Sequence, residues 1–272
     1  MPASPKNQPA AEEADDGRRA VQSVEVGGRL LLALAESPGA LPLKELAARA
    51  GLVPSRAHPY LVSFQRLGLV EQEAGSGYYA LGAAALQIGL ACLRQLDPLK
   101  AAEPVAQELA RATGHAVAVA VWGNFGPTIV RLAEAQQPLH IMLRVGSVMS
   151  ILGTATGRAF AAAMPPEQLE RALTLSPGQE VGAVSATARS WRKEVEEIAA
   201  EVKRHGVARA VGRPIPGVNA FSAPVFDHEG RCALVLTALD HEDRLKGDWN
   251  SAGARALRDA AAAITRRLGG PP

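Results

Sequence analysis

The sequence predicts an α+β protein in two parts: a small N-terminal part of three helices and a hairpin, and a larger part in which antiparallel strands are flanked by helices. Apolar residues recur at three- and four-residue steps in residues 21–67 and again near the C-terminus, as in amphipathic helices. Short apolar runs bounded by turn residues, such as residues 116–123, are typical of strands. A chain of 272 residues is long enough for two such domains.

Composition argues against several classes of protein. The net charge is only +2, with an isoelectric point near 8.7, so a nucleic-acid role requires a local basic patch. Cys92 and Cys232 lie far apart, which disfavours a disulfide scaffold or a zinc module and fits a reducing compartment. No apolar run reaches the roughly 20 residues that span a bilayer, and the N-terminus does not read as a secretion signal. We therefore expect a soluble, cytoplasmic protein with no membrane partner.

Residues 1–19 are rich in proline, alanine and charge and show no apolar periodicity, which predicts a disordered tail. The first folded domain is predicted over residues 20–82. Its first helix ends near Pro38 and has an inward face of Val24, Leu30, Leu31, Leu34 and Ala35. A short second helix ends at Gly51 and directs Leu43, Leu46 and Ala47 inward.

A third helix is predicted to start near Pro54 and to end at Gly68, with inward residues Ala57, Leu61, Phe64 and Leu67. Strands at residues 69–73 and 78–81, joined through a glycine-rich turn, would form a hairpin. Three short helices followed by a hairpin predict a winged helix-turn-helix whose third helix enters the major groove of DNA. The charged residues between Glu45 and Glu71 are all basic: Arg49, Arg56 and Arg66. Any small helical domain can show such one-sided charge, however.

Almost the whole chain after the tail resembles the IclR family of transcriptional regulators. The resemblance rests on residues 21–72 and, in the second half, on the segments LRVGS, GTATGRAFAA, IPGVNAFSAPVFDHEGR and LVLTAL in this order. It implies an effector-binding domain and dimers whose recognition helices reach successive major grooves of a double-stranded DNA operator. Two departures concern Pro59, where the family usually has arginine or a similar residue, and RAVGRPI, which replaces acidic residues common before PGV.

Pro59 predicts that the third helix is interrupted. Proline removes one helical hydrogen bond, and the residue before it resists the helical conformation, so we expect an irregular turn up to His58 and a regular helix over residues 59–67. Arg56 would read guanine, and serines would contact phosphates. Tyr60 packing against the wing and Ser63 merely facing solvent remain open alternatives. The predicted DNA-binding residues are Ser55, Arg56, His58, Tyr60, Ser63 and Arg66.

Residues 83–97 read as a connector helix with an apolar stripe of Leu86, Leu90, Leu93 and Leu96. A helix tethered between two domains cannot cover such a stripe alone. The stripe therefore predicts pairing with the same helix of another subunit, in a homodimer or a dimer of dimers. Cys92 is interpreted as a small packing residue.

The second domain is predicted over residues 98–270 as a GAF-like antiparallel sheet flanked by helices. Its predicted strands lie in residues 116–123, 128–135, 139–146, 207–211, 220–226 and 233–239. Its predicted helices lie in residues 101–114, 154–164, 190–205 and 249–268.

The sequence offers little for catalysis. It contains no phosphate-binding loop, dinucleotide fingerprint, HExxH motif or nucleophile elbow. The six histidines show no metal-ligand spacing, and Cys232 lies in an apolar strand, where a buried thiol is more common than a nucleophile. We therefore expect no enzyme activity, no cofactor and no metal.

Small residues at the start of the helix near residue 154 suggest a ligand pocket, because free helix amides attract anions and small side chains let a ligand approach the backbone. Close packing of this helix on the sheet would explain the small residues equally. The resemblance implies that the effector pocket is lined by Gly153, Thr154, Ala155, Thr156, Asn219, Ala220, Thr237 and Leu239.

Arg209 and Arg213 stand where the family often has carboxylates, which favours a negatively charged ligand. We expect a small carboxylate effector. Four apolar residues could supply walls for an aromatic body: Met142, Met149, Leu152 and Phe221. Arg209 as a solvated surface residue is the alternative.

The sequence thus predicts a DNA-binding transcriptional regulator that responds to a small organic acid, with activation or repression left open. The alternatives are a ligand-independent architectural or protein-binding factor, in which Pro59 reflects lost base reading, and an enzyme with a catalytic dyad around Thr154 and Cys232.

Overall fold

The computed structural model describes residues 20–139, 143–175 and 190–271. The chain divides after Gln95 into two compact units, called here the N-terminal unit and the C-terminal unit. Residues 1–19, predicted as a disordered tail, lie outside the described residues. No helix in the described ranges is long and apolar enough to cross a membrane.

The N-terminal unit is a winged helix-turn-helix, as predicted. Its elements are α1 (Gln22–Ala35), α2 (Leu43–Arg49), α3 (Pro54–Arg66), β1 (Val70–Gln72), β2 (Tyr79–Leu81) and α4 (Ala83–Gln95). Strands β1 and β2 pair antiparallel to form the wing. Leu41, between α1 and α2, exchanges two backbone hydrogen bonds with Tyr79 and so joins the wing to the helices.

One hydrophobic core joins the three helices to the wing, and its larger buried residues are Leu30, Leu34, Leu46, Leu61, Val70 and Tyr79. Three predicted core positions are wrong, because Val24 is 70% exposed, Leu67 is 64% exposed, and Ala35, the last residue of α1, is also exposed. Val26 is buried instead, since residues two apart on a helix lie about 200° apart around its axis. Leu67 caps α3 and lies outside its regular turns.

Helix α3 continues through Pro59, so the predicted break at His58 is wrong. The missing amide of Pro59 leaves the carbonyl of Ser55 without its usual helical donor, but Ser55 is exposed and water can supply that bond. Ala57 and Leu61, both buried, hold the helix on the core on either side of the proline. This packing outweighs a local cost of about 3 kcal/mol for proline relative to alanine.

The C-terminal unit is a five-stranded antiparallel sheet with helices on both faces. Its elements are α5 (Pro98–Thr113), β3 (Ala116–Gly123), β4 (Gly126–Ala133), α6 (Ala155–Ala163), α7 (Pro166–Leu175), α8 (Ser190–His205), β5 (Ala208–Val211), β6 (Val218–Phe226), β7 (Cys232–His241) and α9 (Ala252–Arg267). The strand order is β4-β3-β7-β6-β5, so β4 and β5 are the edges.

The two faces of this sheet bury different residues. Alternate residues of β6 and β7, among them Phe221 and Leu236, pack with α5 and α9 in one cluster. The intervening positions, among them Val235, pack on the opposite face with Phe160 of α6. Both faces are therefore buried, and the period of two along each strand assigns every side chain to one of them.

Two features of the C-terminal unit differ from the sequence prediction. Residues 143–146 form no strand, and residues 140–142 of that predicted strand lie outside the described residues. The chain turns there, since Gly146 has a φ of 92° and the amide of Ser147 donates to the carbonyl of Arg144. Helix α7 was not predicted, and its residues Leu169 and Ala172 are buried.

We predict that Pro59→Ala stabilises α3, because alanine restores an amide that can donate to the carbonyl of Ser55. The expected gain is about 1–3 kcal/mol, observed as slower hydrogen exchange in peptides that cover α3. Pro54→Ala is the matched control, because Pro54 occupies the start of the helix, where the missing amide costs nothing. Unchanged or faster exchange in Pro59→Ala would contradict this account.

Candidate nucleic-acid interface and effector pocket

Helix α3 presents an exposed, mostly polar face. Five of the six predicted DNA-binding residues are exposed on it: Ser55, Arg56, His58, Ser63 and Arg66. Arg56 and Arg66 form no ion pair within the described residues, whereas Arg49 of α2 pairs with Glu45 at 2.7 Å. Two guanidinium groups on this face are therefore available for phosphate or base contacts.

Tyr60 and Ser63 are partly engaged within the protein. Tyr60 is half-buried and packs on α1, where a Cβ on Gly27 would lie 3.4 Å from Tyr60 Cδ1 and 2.8 Å from Phe64 Cζ. Tyr60 also packs against the core that α1 shares with the wing residues Val70 and Tyr79, so packing within the protein, the alternative left open by the sequence, applies to it. The Ser63 hydroxyl donates to the carbonyl of Pro59 at 3.0 Å, so its proton is already used within α3.

The wing carries no cation. Residues 70–81 include Glu71 and Glu73 and no lysine or arginine. The Glu73 carboxylate accepts a hydrogen bond from the Ser76 hydroxyl at 2.6 Å, and the side-chain amide of Gln72 donates to the carbonyl of Gly77 at 2.8 Å. These bonds fix the turn of the wing. The wing is negatively charged, as DNA phosphates are, so any electrostatic attraction to DNA would have to come from the helices.

Helix α4 has no buried residue within the described part of the chain. Leu86, Leu90 and Leu93 lie on one side of it and are 64%, 44% and 39% exposed. Leu96 does not belong to this stripe, which corrects the sequence prediction: α4 ends at Gln95, and Leu96 packs on the core of the C-terminal unit.

A pocket lies between α6 and the sheet, on the face opposite α5 and α9. Six of the eight predicted effector residues line it: Thr154, Ala155, Thr156, Ala220, Thr237 and Leu239. The other lining residues are Ala118, Leu143, Met149, Ala210, Arg213, Pro214, Ile215 and Val218. The cavity volume is about 50 Å³, which is room for a few water molecules.

Three hydroxyl groups form a buried chain at this pocket. Thr237 Oγ1 lies 2.9 Å from Thr156 Oγ1 and 2.8 Å from Ser222 Oγ. Hydroxyl groups both donate and accept, so this chain can reorient toward a polar ligand group. Ser222 was not identified from the sequence, although its pairing opposite Thr237 in the antiparallel ladder follows from the register.

The start of α6 is tightly held. Thr154 Oγ1 accepts a hydrogen bond from the Gly157 amide at 3.0 Å, so that amide is not free for an anion. A Cβ on Gly157 would overlap the backbone of Ser150 and Ile151, so the glycine permits this close approach. The small residues of α6 thus serve packing as well as the pocket, and both interpretations of the sequence apply.

Two predicted effector residues do not line the pocket. Asn219 lies on the other face of β6, where its side chain accepts from the Gly212 amide and donates to the carbonyl of Leu245. The Gly153 amide donates to the Ser150 hydroxyl at 3.1 Å. Both residues therefore support the backbone around the pocket instead of contacting its interior.

Several further residues were misplaced in the predicted pocket. Arg209 lies over the Trp249 ring and donates to the carbonyl of Gly247 at 2.6 Å, outside the pocket. Phe221 and Leu152 belong to other clusters of the core, and Met142 lies outside the described residues. Arg213 does line the pocket and is the charged residue among the described lining residues.

The thiol considered in the sequence analysis does not belong to this pocket. Cys232 is not among the lining residues, and burial raises the pKa of its thiol to about 12, so it stays protonated near neutral pH. Among the residues that the structure describes, no group of three His, Cys, Asp or Glu side chains could hold a metal ion.

Comparison with known proteins matches both units. The sequence model for the IclR helix-turn-helix domain matches residues 23–74, and that for the bacterial transcriptional regulator IclR C-terminal domain matches residues 90–266. The glycerol operon regulatory protein of Streptomyces griseus is 31% identical over 257 residues, covering 92% of this chain and 98% of that protein.

Two further comparisons agree. The transcriptional repressor IclR of Escherichia coli K12 is 25% identical over 252 residues, covering 92% of this chain and 91% of that protein. The crystal structure of Pseudomonas aeruginosa HmgR matches with a TM-score of 0.82 and 34% identity, covering 92% of this chain and 99% of that chain.

Proposed function

The chain belongs to the IclR family of bacterial transcriptional regulators, and on this premise we propose that it binds its operator as a homodimer under the control of a small carboxylate effector. Family membership also confirms the prediction of a regulator instead of an enzyme. The observation that carries the proposal is the exposed face of α3, where Arg56 has no carboxylate partner within the described residues. Its site of action is chromosomal DNA, in the cytoplasm.

In this proposal Arg56 reads a base edge and its neighbours position α3. Arg56 lies in the first turn of α3, and residues near the N-terminus of a recognition helix commonly contact bases. A bidentate arginine–guanine contact contributes about 1–3 kcal/mol of discrimination. Ser55, His58 and Arg66 are exposed and suit phosphate contacts, while half-buried Tyr60 supports α3 against α1.

We predict that Arg56→Ala weakens binding to the operator by roughly 10- to 100-fold, because a base-specific contact is lost, and weakens binding to random DNA much less. Fluorescence anisotropy with both duplexes at one fixed salt concentration measures this. Arg204→Ala, an exposed arginine on α8, serves as the control and should change neither value. Equal losses on both duplexes would remove Arg56 from base reading.

The homodimer is supported by the exposed stripe of α4. Leu86, Leu90 and Leu93 lie within about 60° of one another around the helix, so a second copy of α4 can cover them together. Two winged domains joined this way could occupy successive major grooves, and two such dimers could associate further. No residue of α4 is buried within the described chain, so nothing there covers the stripe. An exposed apolar stripe of this kind is typical of a protein–protein interface.

We predict that Leu90→Asp disrupts the dimer, because the interface would have to bury an unpaired carboxylate. The dissociation constant of the dimer should rise on the order of 100-fold, measured by sedimentation, with a parallel loss of operator affinity. Ile88→Asp is the matched control, since Ile88 is equally apolar and 62% exposed but lies on the opposite side of α4. A dimer that survives Leu90→Asp would exclude this interface.

The effector class follows from the pocket lining. Met149, Leu239 and alanine side chains give apolar walls, the threonine hydroxyls offer hydrogen bonds, and Arg213 supplies the positive charge. A ligand with one carboxylate and a small apolar body matches this lining. The narrow cavity requires either a very small ligand or a rearrangement of the lining residues Leu143 and Ile215 on binding.

We predict that carboxylates bind more tightly than their amides by about tenfold, because the guanidinium of Arg213 pairs only with the acid. Calorimetric titration of matched acid and amide pairs measures this preference, and Arg213→Gln should abolish it while leaving amide binding in place. Tighter binding of the amides would end the carboxylate assignment.

A further inference from the structure

A second, larger cleft lies at the β5 edge of the C-terminal sheet. Its volume is about 510 Å³, within the usual range of ligand sites and about ten times that of the effector pocket. Helices α6 and α8, strand β5 and the loop after β7 supply its walls. Charged side chains dominate the lining: Arg158, Arg209, Arg213, Glu201 and Asp248.

Arg158 is a buried cation in the wall of this cleft. Its side chain is only 10% exposed, and its Nη2 donates to Glu201 at 2.8 Å, with Glu194 at 3.8 Å from Nη1. Its Nε is buried and has no hydrogen-bond acceptor within the described residues. Glu201 is thus already committed to Arg158, so it does not neutralise the other arginines of the cleft.

Arg209 is held in place without an acidic partner. Its Nη1 donates to the carbonyl of Gly247 at 2.6 Å, and its guanidinium lies 3.9 Å above the Trp249 ring. A carbonyl and an aromatic ring orient the cation but leave its charge uncompensated. Arg213 is exposed, and within the described chain neither Arg209 nor Arg213 forms an ion pair.

The backbone of the edge strand adds donors to the same side of the sheet. Strand β5 pairs only with β6, and the Gly212 amide donates to the carbonyl of Val218. Because amides of an antiparallel strand alternate in direction, those of Arg209 and Val211 point away from β6, toward the sheet edge. Val211 also lines the cleft, and the strand geometry directs its amide toward the same sheet edge.

We propose that this cleft is a second ligand site, which binds a small dianion between Arg209 and Arg213. Neither arginine forms an ion pair within the described chain, although Asp248 also lines the cleft, and a ligand with two acidic groups can pair one of them with each guanidinium. The site is separate from the effector pocket in its lining, apart from Arg213, which lines both.

The shared Arg213 couples the two sites. A dianion that holds Arg213 in the cleft withdraws it from a carboxylate in the effector pocket, so each ligand should weaken the other. This consequence depends on the proposed effector function. Binding of the dianion itself does not, since it is measured with no effector present.

The test is calorimetric titration of the full chain with inorganic phosphate, succinate and acetate at constant ionic strength. We expect phosphate or succinate to bind and acetate to bind at least about tenfold more weakly. The preferred dianion distinguishes phosphate-type from dicarboxylate ligands. Arg209→Gln should weaken dianion binding by about tenfold, and Asp248→Asn should strengthen it severalfold, because it removes a repulsive carboxylate.

The two variants change affinity in opposite directions, which loss of folding cannot imitate. Arg255→Gln, on the exposed side of α9, is the matched control and should leave binding unchanged. The proposal is overturned if neither dianion binds, if Arg209→Gln binds as the unmodified chain does, or if Asp248→Asn weakens binding.

Discussion

The alternation of side chains along β6 and β7 is the constraint on which the C-terminal unit depends. Both faces of the sheet are covered by helices, so every residue of these strands is committed to one of two interiors. Phe221 therefore builds the core with α5 and α9, while Ala220 beside it reaches the pocket. A shift of one residue in register would exchange these roles and destroy both interiors.

The same alternation separates what the sequence could predict from what it could not. The predicted bounds of α6, α8 and β7 lie within two residues of the observed ones, and α6 and β7 are runs of small and apolar residues that are buried along most of their length. Asn219 and Ala220 could not both line one pocket from one strand, and applying the period of two would have excluded Asn219. The same alternation excludes Arg209 from the pocket, because Arg209 pairs opposite Phe221, whose side chain lies on the other face of the sheet. Residue type and family resemblance indicated where the pocket lies, but the alternation of side chains along the strands decides which residues line it.

Other misjudgements came from applying local rules where tertiary contacts decide. Proline propensity predicted a break in α3, yet Ala57 and Leu61 bury the helix on both sides of Pro59. Val24 was assigned to the inward face of α1 together with Leu30 and Leu34, whereas its angular position on the helix directs it to solvent. Packing on the remainder of the unit supplies energies larger than these local preferences, and a single sequence does not display that packing.

The charge distribution of the N-terminal unit concentrates its attraction for DNA on few residues. The wing carries glutamates and Arg49 is paired to Glu45, so the exposed cations without an ion pair among the described residues of this unit are few: Arg29, Lys44, Arg56, Arg66 and Arg94. Few phosphate contacts imply a shallow dependence of affinity on salt and weak non-specific binding. In the proposed mode of binding, base contacts by α3 and the simultaneous use of two half-sites supply the specificity.

Leu96 and Asp97 form the linker between α4 and α5. Helix α4 ends at Gln95 and α5 starts at Pro98, so only two residues join them. Both contact the C-terminal unit: Leu96 packs against its core, and the Asp97 carboxylate caps α5 by accepting from the amides of Leu99 and Lys100. The whole linker between α4 and α5 is thus built into the C-terminal unit, and a substitution of Leu96 or Asp97 would disturb the packing or the capping of α5 and not merely a loop.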